Sequence, residues 1–286
     1  MKLTTEDFDS ICKRVVPKLC EQLFYKRKEL YNQKQLYHYT NLNAFIGGIV
    51  CDGREINKEI CLYATHWNYL NDPKEIILGH ERFVKIIKKE NEQGLLEEYL
   101  KENKQISLSR QKDFLPMWGL YGSNGSGIML SFNTEKLLKK YGYLIMPCIY
   151  QDSEYDKNAF KKLMNLDFKG IIDELNNEEL FYPIVLVSLL FISILKDNSY
   201  EYEDEVRIVG LGNKYFDMYS KEEFRVANGN KIIPYTKVYF PKDFLEEVIV
   251  GPNQDAEKNC ETIKKYLASI GLEHVNVIIS TVPYKG

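Results

Sequence analysis

Histidine is scarce in this chain, with four in 286 residues, and tryptophan is scarcer, with two. Six cysteines stand at 12, 20, 51, 61, 148 and 260, but none forms a CxxC pair and none has histidines at zinc spacing. That excludes the usual structural zinc sites. The N-terminal stretch MKLTTEDFDS is acidic and polar and lacks the apolar region of a signal peptide. Together these features predict free or buried thiols in a reducing cytoplasm. Long apolar runs are missing too. The longest, from Ile184 to Leu195, falls short of the roughly 20 residues that a membrane-spanning helix needs, and predicts a buried helix. There is no excess of basic charge. A net charge of −3 and a pI near 5.9 exclude a global positive field for a nucleic-acid backbone, though not a local patch. The phosphate loop GxxxxGK[ST], HExxH and GxSxG are all absent. Gly122, Gly125 and Gly127 cluster, but they precede a strand-like segment and not a helix, so a hairpin-like turn is expected instead of a dinucleotide loop.

What is present is an ordinary globular balance: 44% hydrophobic and 28% charged residues. The length suits one large domain or two small ones. No repeat, low-complexity stretch or Pro/Gly/Ser linker divides it. The chain therefore reads as a single α+β domain over 32–286, preceded by a helical extension over 1–31. In that extension Phe8, Ile11, Val15, Leu19 and Leu23 follow helical spacing. LYHYT at 36–40, CLYATH at 61–66, QISLS at 105–109 and IMLSF at 128–132 read as strands. So do the stretch near 143–150, EDEVRIVG at 203–210, KIIPYTKVYF, LEEVIVGP and VNVIIST. Helices are expected from Asn41 or Asn43, in DFLPMWGLYG, around Leu137, over most of 158–196 and over 254–270. NDPKE at 71–75 carries helix-start chemistry, with Asp72 as N-cap and Pro73 in the first turn.

The polar residues that stand out are His38 and Thr40, Asn71 and Asp72, Ser109, Trp118 and Tyr121, and the run Glu201, Glu203, Glu205, Arg207. Alternate residues of a strand share a face, so Glu203, Glu205 and Arg207 would point one way and Val206 and Ile208 into the core. Carboxylates at that spacing repel unless a cation answers them, and Arg207 and Lys196 are the candidates. Taken alone, the run reads as a solvated edge face with a local ion pair. Singly, His38 reads as a packed strand histidine, Asn71-Asp72-Pro73 as a helix cap, and Trp118 with Tyr121 as one packed helix face.

Their joint order says more. LYHYT, LYATHWNYLNDPKE, ISLSRQKDFLPMWGLYGSNGSGIMLSF, YEYEDEVRIV and LEEVIVGPN together resemble a bacterial family, domain-of-unknown-function family twenty-nine seventy-one, from about residue 36 to the C-terminus. That family in turn resembles the ADP-ribosyltransferase fold, a split sheet with flanking helices. The basis is a histidine on an early strand, an aromatic after a middle strand and a glutamate on a late strand. The resemblance implies NAD as substrate. It implies a catalytic role for Glu205, stabilising the oxocarbenium-like charge that develops when the nicotinamide–ribose bond breaks. His38 would hold the adenosine-side ribose with Thr40 beside it, and Tyr121 would stack on nicotinamide. Trp118 would wall the pocket, Ser109 would meet the amide or a ribose, and Arg207 or Lys196 would meet phosphates or the glutamates. Glu203 would orient an acceptor. Asn71 and Asp72 would support the site or bind that acceptor. No metal is implied.

The expected activity is therefore mono-ADP-ribosyl transfer to a protein or nucleic-acid acceptor, or NAD hydrolysis when water is the acceptor, in a toxin or phage-defence setting. The alternative is a nucleotide- or nucleic-acid-binding module without turnover, for which lysines 136, 139 and 140 and lysines 157, 161 and 162 offer basic patches. A third possibility is an interaction module whose N-terminal helix docks a partner.

Overall fold

The computed structural model describes residues 27–50, 59–70, 103–139, 144–150, 192–209, 222–227 and 231–283. The sequence expectations for most of the N-terminal helix, for the NDPKE turn with Asn71 and Asp72, for lysines 140, 157, 161 and 162, and for most of 158–196 lie outside them.

The strands run in chain order as β1 (Gln35–Thr40), β2 (Glu59–His66), β3 (Lys104–Ser109), β4 (Ile128–Asn133), β5 (Leu144–Pro147), β6 (Ile149–Tyr150), β7 (Leu195–Lys196), β8 (Glu205–Val209), β9 (Glu223–Ala227), β10 (Lys231–Pro241), β11 (Leu245–Val250) and β12 (Asn276–Ile279). Among the described residues the helices are α1 (Leu42–Ala44), α2 (Leu115–Leu120), α3 (Thr134–Lys139) and α4 (Ala256–Ser269), and residues 27–31 and 192–194 are helical as well. The class is mixed α+β, as the pattern of alternating segments predicts. β6 and β7 pair in parallel as a small second sheet, and the other strands form one large mixed sheet of order β12-β11-β4-β1-β3-β2-β10-β9, from which β8 and β5 branch at β3.

That branch positions the site. β3 pairs β8 along Gln105–Ser109 on one side. On the other side β1 meets it at Ser109, whereas β2 meets it at Lys104 and Gln105. The two halves of the sheet therefore part along the middle of β3 and leave a fork.

Local chemistry accounts for the neighbouring elements. Asn41 caps α1, its Oδ1 accepting from the Ala44 N–H at 2.7 Å, and α1 continues into a π-helical turn over Phe45–Ile49. β4 is buried from Ile128 to Phe132 on both faces, so it reads as a continuous apolar run and not an alternating one. Its even positions Ile128, Leu130 and Phe132 join Leu36, Val206, Ile208 and Val248 in the main core. α4 closes that core with Ala256, Cys260, Ile263 and Leu267, one stripe at helical spacing. On the opposite face a smaller aromatic core holds Tyr37, Tyr39, Met117, Trp118, Met129 and Ile249.

The SNGSG turn takes left-handed backbone at Ser123, Asn124 and Gly125. Gly127 then brings the chain back against β1, and a Cβ there would sit 2.2 Å from the Thr40 carbonyl oxygen. No side chain fits that approach.

Two assignments differ from the sequence reading. The strand expected over 203–210 begins only at Glu205: Asn198–Glu203 forms a 3-10 turn, and Asp204 adopts left-handed backbone (φ 44°) before the strand starts. Asp197 caps this turn through its Oδ1, and such a cap favours a turn over an extended chain. The helix expected to reach 196 ends at 194, and Leu195–Lys196 is β7. Pairing with Ile149 and Tyr150 decides the conformation there. No helix among the described residues is long and apolar enough to cross a membrane.

Candidate functional site

A cleft of about 300 Å³ opens at the fork, lined by residues of β1, β2, β3, α2, β7, β8, β9 and β10. It brings together His38, Thr40, Ser109, Tyr121, Lys196, Glu203 and Glu205, which sequence reading singled out in separate segments.

His38 sits where the sheet parts. Its Nδ1 lies 3.0 Å from the Ser107 carbonyl oxygen, on the stretch of β3 between its contacts with β1 and β2. A carbonyl only accepts, so Nδ1 carries the proton and Nε2 of the neutral ring is left as an acceptor. Burial lowers the His38 pKa, reinforced by the positive charge of Arg225, against the opposing pull of the Ser107 bond. A histidine with a depressed folded pKa favours the folded state above its unfolded value of about 6.5, and that contribution is lost as pH falls through 6.5 towards the folded pKa. His38 is thus expected to titrate below pH 6.5 in a proton-detected NMR series, with stability declining over the same interval. Titration at or above 6.5 would contradict the placement of the ring.

Glu203 and Glu205 are each less than 5% exposed, as is Lys196 to within a percentage point, at 3%, 4% and 5% respectively. Lys196 Nζ bonds both carboxylates, reaching Glu205 Oε2 at 2.6 Å and Glu203 Oε2 at closer range. Arg207 clasps Glu205 from behind, with Nε 3.1 Å from Oε1 and Nη2 2.9 Å from Oε2. Two cations therefore answer two buried carboxylates. Burial works against the charge on Lys196, but Glu205 and Glu203 overcome it and hold its pKa well above the usual lysine value. The Glu205 N–H donates to the Tyr150 hydroxyl at 2.7 Å. The Cys148 Sγ lies 3.5 Å from Glu205 Oε2. Burial, with Glu205 beside it, raises the Cys148 thiol well above its ordinary pKa, so it is an inert packed group and not a nucleophile.

Glu203 reaches the same face by a different route from the one alternation suggests. The left-handed turn at Asp204 carries it there, and Arg110 fixes the turn by bonding the Asp204 carboxylate and Glu29 together. Ser109 closes the arrangement, its hydroxyl donating to the Glu203 carbonyl at 2.6 Å and accepting from the Gln111 N–H at 2.9 Å. Tyr121 caps α2 and donates its hydroxyl to Glu203 Oε1 at 2.5 Å.

Two residues assigned to ligand contact do not line the cleft. Trp118 is wholly buried in the aromatic core, edge-on to Tyr39 at 5.1 Å, with its indole N–H on Asp113 Oδ1 at 2.8 Å. It supports the wall from behind and does not form it. Arg207 is also wholly buried, its Nη1 on the Ser193 carbonyl at 2.5 Å, so it serves Glu205 and not a phosphate. Sequence reasoning in turn missed Tyr37, Tyr39, Thr65, Tyr69 and Arg225, all of which line the cleft. Tyrosine is too common here, at 21 residues, to flag any one of them. Arg225, within the strand EFRVA, gives no local signal of its neighbours across the fold.

Residues 117–208 match the model of a family described as Protein of unknown function (DUF2971), the family to which the sequence motifs point. The matched segment contains Tyr121, Lys196, Glu203, Glu205 and Arg207 and leaves His38 and Ser109 outside. Neither the curated proteins nor the solved structures contain a match to this chain.

Proposed function

We propose, proceeding from that family match, that the cleft binds NAD and cleaves its nicotinamide–ribose bond, passing ADP-ribose to a macromolecular acceptor or to water. The observation that supports this best is convergence. His38, Tyr121, Glu203 and Glu205 come from three distant stretches of chain and meet in one cleft at the fork of the sheet.

The chemistry follows from what each group offers. When the C1′–N1 bond breaks, its electron pair moves to the pyridinium nitrogen and positive charge grows on the ribose. Glu203 and Glu205 would turn carboxylate oxygens towards it in a buried site, with Lys196 and Arg207 holding those carboxylates in place. The acceptor then bonds C1′ and releases a proton. The Tyr121 ring offers a face for the planar nicotinamide. His38 Nε2, an acceptor in the neutral ring, suits a ribose hydroxyl.

One observation favours a second reading, nucleotide binding without turnover. Both oxygens of Glu205 are engaged, by Arg207 and Lys196. In that case the carboxylates are a structural network at the base of a binding cleft.

Nicotinamide release from labelled NAD separates the two. Glu205→Gln is expected to lower release by about 100-fold, the scale for losing one charge-stabilising group. Glu203→Gln serves as a parallel variant, and thermal melting shows that each variant is folded. Dependence on added lysate would mark transfer over hydrolysis. Wild-type protein that binds NAD without releasing nicotinamide would leave the second reading standing.

A further inference from the structure

We infer that Arg225 is the anion anchor of this cleft and that the ligand carries a diphosphate. This rests on the reading above only in taking the cleft to be a nucleotide site.

Lys196 and Arg225 are the lysine and arginine among the described residues that line the cleft, and their situations differ. Lys196 is answered by two carboxylates. Arg225 has no carboxylate on it among the described residues. Its one hydrogen bond there is long, from Nη2 to the Thr65 hydroxyl at 3.3 Å, and its buried Nε has no partner. The carboxylate two residues before it on β9, Glu223, is already engaged. It accepts from the Tyr235 hydroxyl at 2.8 Å and pairs with Lys237 at 3.3 Å.

The guanidinium is nevertheless held in place. It stands over the Tyr63 ring at 5.6 Å and the Tyr235 ring at 5.9 Å. Those faces fix its orientation without neutralising it. An oriented guanidinium with unused N–H donors matches the paired oxygens of a phosphate, and a rigid fork loses little freedom on binding one. Thr65 and Tyr69 beside it supply neutral groups for the rest of the ligand.

Lys196 and Arg207 already answer Glu203 and Glu205, so among the described residues Arg225 is the charge lining the cleft that no opposite charge answers. The cleft is therefore suited to an anionic ligand held at Arg225.

Calorimetric titration of the full chain tests this, with ADP and with inorganic pyrophosphate as probes, on wild type, Arg225→Lys and Arg225→Ala. Arg225→Ala is expected to weaken ADP binding at least tenfold, with partial recovery in Arg225→Lys, while the melting temperatures stay close to wild type. Unchanged ADP affinity in a folded Arg225→Ala would overturn the assignment, as would a wild-type protein that binds neither probe. If ADP binding needs Arg225 but NAD is never cleaved, the anchor stands and the transferase reading falls. If NAD is cleaved with the same KM in Arg225→Ala, the anchor falls and the transferase reading stands.

Discussion

Lys196→Met is expected to cost about 3–5 kcal/mol of folding stability, the scale for removing one partner from a buried ion network. The substitution preserves length and apolar stem but leaves Glu203 and Glu205 facing one another at 3% and 4% exposure. Arg207 still holds Glu205, but no cation among the described residues then reaches Glu203. A denaturant melt should show the loss as a lower midpoint. Adding Glu203→Gln should recover part of it, because the second substitution removes the carboxylate that was left unanswered. The pH dependence carries a sign. The folded pKa of Lys196 lies above its unfolded value, so its contribution is fully present below about pH 10.4 and is lost as pH rises beyond that. The gap between wild type and Lys196→Met should therefore be constant through neutral pH and shrink under alkaline conditions. A gap that widens above pH 10.4, or a variant as stable as wild type at pH 7, would mean that Lys196 does not hold this network.

The second large effect is expected at Trp118. Trp118→Ala should cost about 3–5 kcal/mol, the range for emptying a large aromatic site in a core. Trp118 is the largest of the fully buried side chains and packs on Tyr39, Met117 and Met129. It also donates to Asp113, which accepts from the Ser280 hydroxyl at 2.5 Å and the Thr281 N–H at 2.9 Å. Burial opposes ionisation of Asp113, but these bonds prevail and hold its pKa below the usual value. Asp113 thereby ties α2 to the segment that follows β12. Trp118→Phe separates the two contributions. It keeps most of the packing and loses one hydrogen bond to a charged group, so about 1.5–3 kcal/mol is expected. Because Tyr121 lies three residues on, at the end of α2, Trp118→Ala should also weaken ligand binding through displacement of Tyr121. Trp118→Ala with normal stability and weakened binding would instead place the indole in the cleft.

Much of the secondary structure was legible because it depends on local pattern. QLYHYT and IMLSFN are dense in β-branched, aromatic and apolar residues, KQISLS alternates Ile106 and Leu108 with polar residues, and all three formed strands. The 256–269 helix showed its core stripe at a period that needs no partner to be seen. The 203–210 segment was only half legible, since a cap at Asp197 and a left-handed Asp204 outweigh the alternation that suggested a longer strand. The candidate site divides in the same way. His38, Tyr121, Glu203 and Glu205 stood out through their joint order along the chain and not singly, and they do line one cleft. Trp118 and Arg207 looked equally promising and lie behind it.

By itself, then, the sequence determined which segments extend or coil, the absence of an overall basic charge, and the presence of two carboxylates needing a cation. Residue type and spacing act within a few residues, and short range suffices for those features. Tertiary structure alone decided that Lys196 is that cation for both, that the sheet parts at Ser107 so that His38 bonds its carbonyl, and that Arg225 reaches the cleft with no carboxylate to answer it among the described residues. The His38–Ser107 and Arg225–Thr65 contacts span 69 and 160 residues of sequence, and even Lys196, seven and nine residues before the two glutamates, reaches them only because a 3-10 turn and the left-handed Asp204 fold the chain back. Their charge balance depends on distance and burial in space, and no local pattern encodes either.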